Sequence, residues 1–407
     1  MATPVFCCGF ECGQLGSAGQ HWANAGTHSA TISTSTVRSG ARSLRANPSA
    51  QMTNIRSASV LASTTVAMRC YVYFATLPTT IQGWVLMLGT VQSGGAVYKT
   101  STQEICAAFG NTLGTTGVSV VTGQWYRIDV KIDSSANPHL IDVQVNGVAC
   151  SQVSFATGLQ VNTTIRILEQ DVSNWTGDVF IDDILASNTV ADYPLGAGKV
   201  EHFVPTSDGT HTATTTTIVK GTIAAPTGGG NVAGATDVWN WVNGVPLLGG
   251  LTDNTRLVNH QTAASTLYAE VIFGPASGIS TPTVAPRAVE VITADRQAST
   301  ATGLFQTKLN DNGTESAVAN RGSVAGVITD RYVRKHYALA PTGGAWTVVS
   351  GAGNFNNIRA RFGYSSDATP DQYWRGIMIE AEFAEVVNSI PNKIFQTIQA
   401  IRRASLR

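Results

Sequence analysis

Between residues 123 and 133, GQWYRIDVKID, apolar and polar side chains alternate with period two. Tyr126, Ile128, Val130 and Ile132 fall on one face, and Trp125, Arg127, Asp129 and Lys131 on the other. This is the pattern of a strand with one side in a core. The segment 139–150, HLIDVQVNGVAC, repeats the alternation, and its Asn146-Gly147 pair predicts a type I′ hairpin turn. Residues 66–74, 83–90 and 178–186 are dense in Val, Tyr, Phe, Leu and Ile and bounded by Pro, Gly or Asp, which predicts buried strands. From 188 to 198 the period disappears and Asp, Pro and Gly collect, the signature of a connection. Strand patterns then resume at 200–205, 266–273, 288–293, 303–309 and 330–339, and close with QYWRGIMIEAEFAEV, 372–386.

The expected class is therefore all-β, with two tandem antiparallel β-sandwich domains at 1–195 and 196–388, which the resemblance given below makes concanavalin-like jelly rolls. Beyond 388 the period lengthens: Ile390, Ile394, Ile398 and Ile401 fall on one face of a helix that Ser389 can cap, with Arg402 and Arg403 near its end. The 389–407 segment is expected to be a short basic α-helix that packs on its own domain or docks on a neighbouring subunit.

Composition narrows the function. The 407 residues carry 26 basic and 26 acidic side chains, and only 13% are charged, so no electrostatic case exists for nucleic acid outside the basic last residues. No apolar run approaches the roughly 18 residues of a membrane span. The opening MATPVFCCGFECG lacks the basic and apolar regions of a secretory signal, so synthesis and folding in a cytoplasm are expected. Six cysteines, Cys7, Cys8, Cys12, Cys70, Cys106 and Cys150, are expected as free, mostly buried thiols. Seven scattered histidines show no metal-binding spacing, and neither a metal nor a cofactor is expected.

Three groups could carry chemistry. In IEAEFAE, alternation puts Glu380 and Glu382 on one face, and a bulge would add Glu385, a spacing similar to the paired carboxylates of sandwich glucanases. The competing reading is a solvated outer face. Asp182 and Asp183 are adjacent, so strict alternation turns one of them inward, where it needs a backbone donor, an arginine or calcium. Trp22, Trp84, Trp175, Trp239 and Trp241 could stack on sugar rings if exposed.

The segments GFECG, GARSLR at 40–45, GQWYRIDVKID, GDVFIDDILAS and DYPLGAGKVEHFVPTSDGTH together resemble phage virion proteins built on the concanavalin-like, laminin-G-like jelly roll. YALAPTGGAWTVV and RFGYSSD are similar to the second module of such proteins. The resemblance implies a structural component of a tailed bacteriophage virion, made in the bacterial host cytoplasm. It would be a head-surface decoration or tail accessory protein, working through assembly with copies of itself and other virion proteins, and not an enzyme. Two alternatives stay open: a lectin-like module that binds carbohydrate or a receptor, such as host surface glycans, and a glycan-cleaving hydrolase using Glu380 and Glu385.

Overall fold

The computed structural model describes residues 4–13, 15, 22–24, 30–46, 55–57, 61, 63–79, 83–88, 94–135, 137–156, 164–169, 177–210, 218–221, 256–259, 268–297, 305–311, 314–316, 319–321, 330–364 and 372–385. Strands up to Val179–Ser187 form two sheets, and those from Gly198–Asp208 onward form a third. All named strand pairings are antiparallel, which fits the expected class.

The centre of the first unit is Thr65–Phe74, with Trp125–Asp133 on one side and Val179–Ser187 on the other. This nine-stranded sheet faces an eight-stranded one across a shared core, giving a β-sandwich. Alternation decides what enters the core: Val66, Met68, Cys70, Val72 and Phe74 from the central strand, and Tyr126, Ile128, Val130 and Ile132 beside them. Opposite lie Leu86, Ala96, Tyr98, Ile105, Ala107, Ile165 and Ile167. Burial of each large apolar side chain contributes about 1.5–3 kcal/mol. The Asn146-Gly147 turn joins Val145 to its partner Val148, with both turn residues at positive φ as type I′ requires.

The second unit is an eleven-stranded sheet built around the thirteen-residue strand Gln372–Ala384. That strand pairs with Pro286–Gln297 on one side and Gly198–Asp208 on the other. Its Ile377, Ile379, Ala381 and Phe383 share a core with Phe203, Val289 and Val291. The 338–358 segment closes this core by inserting Trp346 and Phe355, whose ring meets Phe203 edge-on at 4.8 Å. The opposite face of the sheet turns toward the first unit. Cys7, Ala67, Leu185, Leu195, Val200 and Ala288 pack in one apolar cluster there, and Cys12, Ile292, Ala294 and Met378 in another.

One expectation changes here. Trp22 and Trp84 are 3% and 6% exposed, so neither can meet a sugar. Trp22 is held between Phe6 and Phe10, and its indole N–H donates to Cys8 Sγ at 3.2 Å. Trp175, Trp239, Trp241 and the helix expected at 389–407, with Ile390, Ile394, Ile398, Ile401, Arg402 and Arg403, lie outside the described residues. Within the described residues the helical elements are two 3-10 turns, Val190–Asp192 and Phe355–Asn357. The six cysteines are free thiols, and all but half-buried Cys150 are buried.

Candidate functional site

Strand alternation does bring Glu380 and Glu382 to one face of Gln372–Ala384, but that face is pressed against the first unit. Both carboxylates are fully buried. Glu380 accepts from the backbone N–H of Glu11 at 2.9 Å and of Gly9 at 3.3 Å, and pairs with Arg334 at 2.8 Å. Glu382 takes Arg69 at 2.9 Å and Arg287 Nε at 2.7 Å. Glu385, one-third exposed, pairs with Arg38, which also bonds Asp183 at 2.5 Å and lies 3.4 Å over the Tyr71 ring. The solvated-face reading of these glutamates is thus reversed. The use of Glu380 or Glu382 as the catalytic acid of a hydrolase is also overturned, because such an acid must come within hydrogen-bond reach of the glycosidic oxygen, and a carboxylate sealed between two sheets cannot. The energetics also explain the partners: a buried charge persists only where paired and hydrogen-bonded.

Asp182 and Asp183 both serve the same seam. Strict alternation would have parted them, but the register slips between Asp182 and Leu185, and Asp183 takes a left-handed φ of 52°. Asp182 accepts from the Arg38 N–H at 3.0 Å. Asp183 accepts from Ser39 Oγ at 2.6 Å and the Val200 N–H at 2.5 Å. Burial pushes both carboxyls above the usual range, and the charge of Asp183 pushes Asp182 further. Their acceptor positions face N–H, hydroxyl and guanidinium donors, an arrangement that satisfies a carboxylate without calcium. Glu11 completes the cluster: it accepts from the Ala41 and Arg42 N–H groups at 2.9 and 3.1 Å and lies 2.9 Å from His202 Nδ1. Burial raises its carboxyl too, against the pull of His202. The seam partners Glu11, Arg38, Arg69 and Arg334 were missed from the sequence. The available signal was a lone charge inside an apolar run, as in VAMRCYV and CGFECG.

A more accessible arrangement lies on the outer face of the nine-stranded sheet. Register places Trp125 opposite Tyr73, Tyr73 opposite Phe180, and Phe180 opposite Arg45, one straight rung across four strands. Ring centroids are 5.5 Å apart for Trp125 and Tyr73, and 6.0 Å for Tyr73 and Phe180. The Arg45 guanidinium sits 5.8 Å from the Phe180 centroid and grips Asp178 through two 2.8 Å bonds. Trp125 and Tyr73 are half-buried, and the Arg45 side chain is 40% exposed. The next rung, Arg127, Tyr71 and Asp182, is covered at the seam, where Tyr71 Oη accepts from the Gly198 N–H at 3.2 Å. The aromatic rung is therefore a ledge beside the joint between units.

A groove of 520 Å³ opens in the second unit, lined among others by Lys199, Glu201, Thr281, Pro282, Val284 and Glu385. Lys199 pairs with Glu201 at its rim.

No family model matches the chain, and no curated protein matches it. Among solved structures, it is similar to domain 4 of AbnA, a GH43 extracellular arabinanase from Geobacillus stearothermophilus, in complex with arabinotriose. That match has 16% identity and a TM-score of 0.34, and covers 46% of this chain and 92% of that one. The Trypanosoma rangeli sialidase in complex with 2,3-difluorosialic acid matches at 12% identity and a TM-score of 0.30, over 39% of this chain and 27% of the sialidase, so the chain spans about a quarter of that enzyme's length. Alginate lyase Aly36B matches at 10% identity and a TM-score of 0.28, over 36% of this chain and 80% of the lyase. These similar structures are a sialidase, an arabinanase domain and an alginate lyase, none of them a particle protein. The virion structural role expected from the sequence is corrected on that finding.

Proposed function

We propose that the chain is a non-catalytic carbohydrate-binding protein whose glycan lies on the ledge of Trp125 and Tyr73, backed by the buried Phe180. The reading rests on that rung with Arg45 and Asp178 at its end. The C–H face of a sugar ring is apolar with slight positive character, and it fits the negative π-face of a half-exposed Trp or Tyr. At the end of the rung, a guanidinium and a carboxylate stand side by side and can donate to one hydroxyl and accept from the next. The reading assigns no catalytic residue, because the candidate acids Glu380 and Glu382 are spent on holding the two units together.

The test is a glycan array probed with the full chain, followed by Trp125→Ala and Tyr73→Ala. Each substitution should weaken binding of the selected glycan by about tenfold, the worth of an aromatic stack. An array signal that persists undiminished in Trp125→Ala overturns the ledge.

A further inference from the structure

From the groove beside Lys199 we infer that the second unit carries its own subsite for a neutral, hydroxyl-rich sugar, an inference that rests on the carbohydrate-binding reading above. At 520 Å³ the groove falls within the about 300–1,000 Å³ typical of small-molecule sites. Its walls divide by chemistry. Pro282 and Val284, the latter 40% exposed, give an apolar side for a ring face, while Ser280, Thr281 and Thr283 carry hydroxyls. The loop bearing them is pinned at two points: the Ala276 N–H donates to His202 O at 3.3 Å, and Asn356 Nδ2 donates to Pro282 O at 3.1 Å.

The charges argue for a neutral ligand. Lys199 is paired with Glu201, and Glu385 with Arg38, which also holds Asp183. Two cations, Lys199 and Arg38, face three carboxylates here, so no cation is left unmatched to hold an acidic ligand. Yet the Lys199 and Glu385 side chains are 37% and 33% exposed, so the pairs can still exchange bonds with incoming hydroxyls. An ammonium next to a carboxylate offers a donor and an acceptor side by side, matched to two hydroxyls on neighbouring carbons. Arg45 and Asp178 present the same donor–acceptor arrangement on the ledge. The two places are neighbours: Glu385 at the groove binds Arg38, Arg38 covers Tyr71, and Tyr71 is two positions, roughly 7 Å, from Tyr73 on the same sheet face.

The experiment uses the full chain and its variants Trp125→Ala, Thr281→Trp, Lys199→Met and the combinations of Trp125→Ala with each of the other two. Thr281→Trp fills the groove from an exposed loop position and leaves the Lys199–Glu201 pair intact, and thermal midpoints check the fold of every variant. Cellobiose, maltose, xylobiose and mannobiose are the probes, read by saturation-transfer NMR, with a glucuronic-acid disaccharide as the charged comparison. At least one neutral disaccharide should keep part of its signal in Trp125→Ala and lose it when Thr281→Trp or Lys199→Met is added. Complete loss in Trp125→Ala alone, with no effect of the groove variants, overturns the groove and leaves the ledge standing. Complete loss in Thr281→Trp alone does the reverse. Absence of signal from every probe on the unmodified chain overturns both, and preference of the groove for the glucuronic-acid disaccharide overturns its assignment to neutral sugars.

Discussion

Arg69 Nη1 and Glu382 Oε1 stand 2.9 Å apart with neither side chain exposed, one from the first unit and one from the second. Removing one member of a buried pair strands the other, at a cost of about 3–5 kcal/mol. The two members are not equivalent here, since Glu382 also holds Arg287. Glu382→Leu leaves two cations without a partner, whereas Arg69→Met leaves Glu382 its second arginine. Urea unfolding should find Glu382→Leu the more damaging of the two, and the double variant less damaging than the sum of the single ones.

Glu380→Gln separates a structural role from a catalytic one. It keeps the side-chain shape but loses the charge that balances Arg334, and should lower stability by about 3 kcal/mol. Because Glu380 also accepts from Gly9 and Glu11, amide exchange at those two residues should speed up along with the loss of stability. Unchanged exchange and unchanged unfolding would exclude the proposed role.

Acidity should act on the two units in opposite directions. Burial raises Glu11, Asp182 and Asp183, so the folded chain binds their protons more readily than the unfolded one. Their stabilising contribution is full below the ordinary carboxylate range and is lost as pH rises through the raised values. Glu270 is the reverse case. Burial pushes it up, but the Thr210 N–H, Arg361 and Asn310 outweigh this and hold it low. Its contribution is present above the ordinary range and is lost as pH falls through the lowered value. The thermal midpoint should therefore rise from neutral pH toward the ordinary carboxylate range, about 4, and fall below it. Asp182→Asn, which keeps an acceptor for the Arg38 N–H, should flatten the rise.

Gly40 tests how tightly Glu11 is seated. Its φ is +63°, and a Cβ there would sit 2.0 Å from Glu11 Oε1, whose oxygens are already bonded to Ala41 and Arg42. Gly110 has a comparable φ of +52° with open space around it. Gly110→Ala should cost only backbone strain, about 1 kcal/mol. Gly40→Ala should cost clearly more, and equal losses in thermal unfolding would show that the Glu11 seat yields.

The alternation of 123–133 made one sheet legible before any coordinates, because a period of two is a local property. The same alternation identified Trp125 as lying off the core, but it could not place Tyr73 and Phe180 beside it, since register across strands depends on pairings far apart in sequence. Asp183 shows another limit: a single left-handed residue turns two adjacent carboxylates to one side, and nothing in VFIDDIL announces the slip. Glu380 and Glu382 read as surface because charge usually means solvent. Arg69, the partner of Glu382, lies 313 residues away and reaches it only when the two units dock, whereas Arg334, the partner of Glu380, lies 46 residues away on the same sheet and reaches it only across an intervening strand.

That separation of 313 residues between Arg69 and Glu382 also sets a clock. At roughly 5–20 residues per second, a ribosome needs on the order of 15–60 s to deliver the glutamate after the arginine has been made. Once Val179–Ser187 has been made, the nascent first sandwich carries for the rest of that interval, at the centre of its outer face, a cation that has yet to meet Glu382. Maturation of the first half is in this sense postponed until the second has been synthesised, and a shortened transcript would yield a product with an unfinished, charged wall.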